Sequence, residues 1–330
     1  MIWLTWRQFR ASTFVAAGAL AALAVILAIT GPQLVHLYDT TVATCQAHHD
    51  CQTAAKAFTS HDSFLQNMIS FVMQVVPALI GAFWGAPLIA RELEAGTHRL
   101  AWTQSVTRGR WLAVELGLTG LASMAAAGLL SLMVTWWSRP FDRISHNALD
   151  PGVFGERGIV PVGYAAFAFA LGVTAGLLVR RTLPAMVGTI AVFAGVEVAF
   201  ALRLRAHLIA PLRVATALNV RQISQMSISA PGNHLSVSVT PRMPGAWIYS
   251  SQVTTANGSA NLGSAPPACI QHAGIQACQA AISRMHLRQL VVYQPASRYW
   301  AFQWYETAIF ISLALALAGL CFWWTRQRVS

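Results

Sequence analysis

Six apolar runs, each long enough to cross a bilayer, limit what this chain can fold into. They lie near Phe14–Ile29, Phe64–Ala90, Trp111–Trp137, Ile159–Val179, Leu183–Leu202 and Tyr305–Trp324. Roughly 20 helical residues cover about 30 Å of hydrocarbon. Inside lipid no water satisfies a bare N–H or C=O, so runs of this kind must be helices. The composition agrees: 55% of residues are hydrophobic and only 10% charged, where a soluble chain carries about a quarter charged. Arg7 and Arg10 ahead of the first run give it the look of a signal peptide. No clear small-x-small cleavage site follows and five more spans do, so the first run is read as an uncleaved span.

An even number of spans puts both termini on one side. That side collects Arg7, Arg10, Arg91, Arg99, Arg108, Arg110, Arg180, Arg181, Arg326 and Arg328. The short loops opposite hold Lys56, Arg139, Arg143 and Arg157, offset by six acidic residues. The positive-inside rule therefore places both termini and the Arg91–Arg110 connector in the cytoplasm of a multi-pass plasma-membrane protein. Tryptophans at 111, 136, 137, 304, 323 and 324 mark the two interfaces. The first ten residues, with Ile2, Trp6 and Phe9 on one face, are expected to lie along the cytoplasmic interface before the first span turns in.

The connector itself is polar and carries a pattern. Gly96 should end the helix arriving through Arg91, Glu92 and Glu94, because glycine disfavours helix interiors. Thr97 is placed to cap a short helix that presents Leu100, Ala101 and Trp102. Ser105 or Thr107 can cap the helix that returns to the membrane. The outcome is a short amphipathic helix held at both ends by spans, a shape that a soluble partner could grip or that could be an ordinary loop.

The first outer loop, about Gly31 to Ser63, holds Cys45, His48, His49 and Cys51. Four such side chains could ligate zinc, although their spacing is tighter than in zinc fingers. Disulfides are the favoured reading on an oxidising outer face, and no metal site is assigned. Gly81 and Gly85 in the second run, and Gly172 and Gly176 in the fourth, have the small-xxx-small spacing that lets helices approach closely, within one copy or between two. Glu115, a turn past Trp111, can reach water or Arg108. Glu197 lies inside the fifth run, where an ionisable group defaults to a pathway candidate. Contact with Arg205, two turns on, would satisfy it in a purely structural way. Glu306, at the start of the last run, can stay hydrated at the boundary.

From Arg203 the composition turns to Ser, Thr, Asn, Gln, Gly and Pro, too long a stretch for a connector. Three regions follow: residues 1–202 with spans one to five, a small mixed extracytoplasmic domain at 203–299, and 300–330 with span six and a cytoplasmic tail. His234–Pro241 alternates like a half-buried strand, and Ala246–Thr255 and Leu290–Tyr293 are further strands. Ile270–Leu287 reads as helix interrupted at Gly274. Cys269 and Cys278 would stand about 13 Å apart on an unbroken helix, so a bond between them needs that break. Otherwise each may pair with Cys45 or Cys51; four cysteines allow three connectivities. Between Glu197 and Glu306 there are eight arginines and no acid, a surface suited to anionic lipid headgroups or to an anionic or amphipathic substrate.

Some chemistry is excluded. Lys56 is the only lysine, so no GxxxxGK phosphate loop exists, and HExxH, GxSxG and CxxC are absent. Energy for any work must come from another polypeptide.

Arg91–His98, RELEAGTH, followed by Thr103–Arg108 and a new span, resembles the permeases of type-2 ATP-binding-cassette exporters, actinobacterial members most closely. The six-span layout and the aromatic stretch Gln294–Glu306 are similar too. Two departures are Val106, where members often carry Pro, and the long segment before the last span. The resemblance implies an all-α polytopic permease that is not itself an enzyme. Its coupling helix at Arg91–Arg110 would dock on a separate cassette ATPase that holds the ATP and Mg. Arg91, Glu92, Glu94, Gly96, Thr97, Leu100 and Trp102 would make that contact. The pathway would form with a second permease copy, identical or not, among membrane lipids and without nucleic acid. Two other readings are an ion-coupled transporter using Glu197 and a sensor with a ligand-binding outer domain.

Overall fold

The computed structural model describes residues 2–46, 58, 60, 63–95, 108–145, 148–220, 223–229, 234–239, 241, 243–260, 262–270 and 275–327. They divide into a helical unit (1–145, 150–208 and 300–330) and a strand-containing unit (146–149 and 209–299).

The helical unit holds α1 (Ile2–Tyr38), α2 (Ser63–Ile80), α3 (Ala86–Ala95), α4 (Arg108–Trp137), the short α5 (Arg139–Ser145) and α6 (Pro151–Phe154), α7 (Val160–Val179) and α8 (Thr182–Ala199). Among the described residues, six helical stretches, counted through their π-turns, are long and apolar enough to cross a membrane. They run Thr13–Ala43, Ser63–Glu92, Leu112–Trp137, Val160–Val179, Thr182–His207 and Ala296–Gln327. Phe14, Phe64, Leu183 and Leu315 are among many large apolar side chains exposed along them, as lipid-facing surface requires. Two expectations are corrected at the N-terminus. The first residues do not turn, because α1 is unbroken from Ile2. Nor does a loop begin at Gly31, since helix continues through a π-turn at Asp39–Ala43 to Gln46; Leu34, Tyr38 and Val42 bury one face of that extension.

α2 and α3 form one helix widened at Gly81–Gly85 into a π-turn, where the Ala86 N–H reaches back to the Gly81 carbonyl. This turn packs on α7 through glycine. A Cβ on Gly172 would collide with the Gly81 carbonyl, one on Gly176 with the Ala86 carbonyl, and one on Gly81 with Ala168. Both small-residue pairs are thus used between two helices of the same chain, backbone against backbone. Several buried hydroxyls donate within their own helices, Thr174 to Ala170, Thr189 to Ala185 and Ser123 to Thr119, at 2.7–2.8 Å, whereas Ser131 of α4 donates to the Gly158 carbonyl at 2.8 Å. Glu115 is buried rather than open to water.

In the other unit β1 (Leu212–Ala217), β5 (Arg288–Gln294) and β4 (Trp247–Thr254) form an antiparallel sheet in that order. β2 (Ile223–Ser229) and β3 (His234–Val239) form a hairpin. After α9 (Pro267–Ile270), α10 (Ile275–Ser283) buries Cys278 and Ile282 in one cluster with Leu235, Val237, Val239 and Val253. The chain then returns to the helical unit as α11 (Tyr299–Gln327).

Candidate functional site

At one end of the helical unit, α6, α7, α11 and the turn after α8 meet on a largely buried polar cluster. Asp150 caps α6, its Oδ1 accepting from the Gly152 N–H at 2.9 Å. Gln303 of α11 caps the start of α7: its Oε1 accepts from the N–H groups of Ile159 and Val160 at 2.9 and 3.1 Å, and its Nε2 donates to the Phe154 carbonyl at 3.2 Å. The chain around 150–160 is thereby fastened to α11.

One turn along α11, Glu306 is 0% exposed and Arg205 is 2% exposed. Arg205 donates from Nε to Oε2 and from Nη2 to Oε1 of Glu306, both at 2.9 Å. Its Nη1 donates to the Pro151 carbonyl at 3.1 Å, its Nη2 also reaches the Tyr164 hydroxyl at 3.2 Å, and its Cζ sits 4.7 Å over the Phe154 ring. Tyr164 in turn donates to Glu306 Oε1. A buried charge pair persists only with such geometry and extra hydrogen bonds. Two expectations are overturned here. Glu306 is not hydrated, and Arg205 does not pair with Glu197, because Glu306 takes both prongs of its guanidinium. Glu197 is half-buried on α8.

Glu156 lies beside this cluster, buried, with Ser70 of α2 donating to its Oε2 at 2.9 Å. Burial pushes its pKa up to about 7; the Ser70 hydrogen bond, the charge of Arg157 and nearby Gln74 offset this only in part, and Asp150 adds to it. Arg157 pairs with Asp142. Sequence spacing found none of Tyr164, Glu156 or Gln303. A buried carboxylate could have been suspected only from Glu156 and Glu306 lying beside apolar runs.

The other candidate site is where α3 meets the α7–α8 junction. The only link between those helices is Arg180–Arg181, with Arg180 in the left-handed region at φ 57°. Glu94 reaches across to it: its Oε2 accepts from the Thr182 hydroxyl at 2.7 Å and the Thr182 N–H at 3.2 Å. An acidic side chain thus caps α8 from outside its own helix, as the positive N-terminal end favours. The hydroxyl bond first, then the N–H bond and Arg181, hold the Glu94 carboxyl below its ordinary pKa. Arg91 is exposed and Glu92 half-buried on α3. Gly96, Thr97, Leu100 and Trp102 lie outside the described residues.

A model of the ABC-2 membrane transporter related family matches residues 17–205, more than half of the chain. The chain belongs to that family. It is an ABC-2-type permease and a multi-pass membrane protein. No curated protein and no solved structure matches it.

The family match ends at Arg205, so it takes in Glu94, Thr182, Glu156, Tyr164 and Glu197 but not Glu306. Residues 209–299 of the strand-containing unit of this ABC-2-type permease fall outside the match. There the Cys269 and Cys278 sulfurs are joined, with Cα atoms 4.6 Å apart. The intervening residues 271–274 are outside the described residues, as are Cys51, His48 and His49. Cys45 is half-buried at the end of the α1 extension. Among the described residues no group of three or more His, Cys, Asp or Glu side chains is placed to hold a metal ion.

Proposed function

We propose that this permease is the membrane subunit of an ATP-driven exporter for a hydrophobic or amphipathic substrate. A separate cassette ATPase, carrying the ATP and Mg, grips residues 91–110 from the cytoplasm, the side on which both termini lie. Two permease copies, identical or not, form the pathway. The observation that carries this reading is the Glu94–Thr182 contact. It ties the α3 end of the connector to α8, while the glycine contacts tie the same helix to α7. A push on residues 96–107 is therefore delivered to three helices together, as a rigid-body switch needs. The basic strand-containing unit would meet substrate or headgroups on the outer side.

The test combines affinity purification with a cysteine placed at Thr97. The reading expects a P-loop ATPase to co-purify, and the Thr97→Cys thiol to be labelled only in inverted vesicles. Labelling of that thiol in intact cells, or ATP hydrolysis by the permease alone, would refute it.

A further inference from the structure

Among the described residues, charge at the Glu306 end of the helical unit does not balance. Two guanidiniums are buried there, Arg205 and Arg157. Arg205 is committed to Glu306, Tyr164 and the Pro151 carbonyl; Arg157 pairs through Nη1 with Asp142, while its Nε takes no partner among the described residues and its charge also acts on Glu156. Glu156 and Glu197 are left over. Glu156 is 3% exposed, and its Oε1 accepts no hydrogen bond of ordinary length and angle, although Gln74 stands nearby. Glu197, half-buried, lies within electrostatic range of Arg205, Glu306 and Glu156. The groups around Glu156 are therefore Ser70 and Gln74 of α2, Arg157 of its own loop and Asp150 at the start of α6, with Glu197 of α8 in electrostatic range.

A carboxylate so enclosed cannot stay ionised without a matching cation; the ordinary outcome is that it takes up a proton. We infer that Glu156 is a proton-binding site of the permease, with Glu197 as a second carboxylate within electrostatic range of it. The step is a proton moving from water to Glu156, turning carboxylate into carboxyl. The site belongs to the packed arrangement described here. Glu156 sits on the loop that joins α6 to α7, while its hydrogen-bond donor Ser70 is on α2. If that loop parts from α2, water reaches the carboxyl and the proton leaves. Any transport motion that opens this contact therefore exchanges one proton, whether or not ATP drives the motion.

The experiment is infrared difference spectroscopy on the full-length permease in lipid nanodiscs, titrated between about pH 5 and pH 9, a window that brackets ordinary and raised carboxyl values. A carboxyl C=O band should titrate near neutral and vanish in Glu156→Gln. Ser70→Ala, which removes a hydrogen bond to the carboxylate, should move the midpoint up. Glu197→Gln, which removes a nearby negative charge, should move it down. Should Glu156→Gln fail to fold, these two opposite shifts decide the matter; a midpoint unmoved in both overturns the inference. A band that persists in Glu156→Gln overturns it too. So does a midpoint that moves with sodium concentration at constant pH, which would make the site one for a metal cation.

Discussion

Arg205 and Glu306 stand 101 residues apart in sequence yet share a two-pronged ion pair that solvent does not reach. Removing one partner strands the other charge. Glu306→Leu is expected to cost about 3–5 kcal/mol, the range for breaking a buried pair, read as a drop in thermal midpoint in detergent. The double variant Arg205→Met/Glu306→Leu should recover most of it. A double variant as unstable as the single one would show that the pair is not what Glu306 contributes.

The glycine contact between α2 and α7 makes a second prediction. Gly172→Ala drives a methyl into the Gly81 carbonyl, and overpacking of this kind costs about 1–3 kcal/mol. Gly188→Ala on α8 is the control, because its Cβ would meet nothing within 4 Å. Equal melting of the two variants would mean that α2 and α7 separate easily.

Glu94 is tested through the helix it caps. Glu94→Ala should speed hydrogen exchange at the first amides of α8, Thr182 onward, and leave α7 unchanged. If Glu94 serves only an outside partner, exchange in α8 of the isolated permease will not respond.

Stability should depend on pH through Glu156. Its folded pKa, about 7, lies above the ordinary carboxyl value. Between those two values the folded protein holds a proton that the unfolded chain has lost, so stability falls as pH rises. Above about 7 both states are ionised and the slope ends. Glu156→Gln should flatten this slope in melts recorded across the range. A slope of the same size in that variant would assign it to another group.

Much of the helical unit was legible because each span is a long apolar run, and lipid leaves such a run no alternative to helix. The spacing of Gly81, Gly85, Gly172 and Gly176 marked which faces are narrow, but not which helices they join. Strand β3 was readable from alternating Leu235, Val237 and Val239. β1 was not, because nearly all of its residues are exposed and no period shows. Helical spacing offers Arg205 as a contact for Glu197 because it sees only neighbours along one helix. Eight residues rise about 12 Å, and Glu306, on another helix, offered both oxygens at hydrogen-bonding distance. Pairings between distant segments leave no mark in local periodicity, so the cluster around Tyr164 emerged only from the fold. Glu94 was noticed for its place in the connector, whereas its tie to Thr182 depends on α3 and α8 converging.

The wide turn at Gly81–Gly85 gives α2 and α3 different azimuths around one axis. Were it to tighten to ordinary pitch, everything beyond it would swing by roughly a quarter-revolution. Glu94 would then let go of Thr182, and the segment that follows would leave the bundle in a new direction. Five residues in the middle of one helix thus set where Glu94, more than two turns away, points.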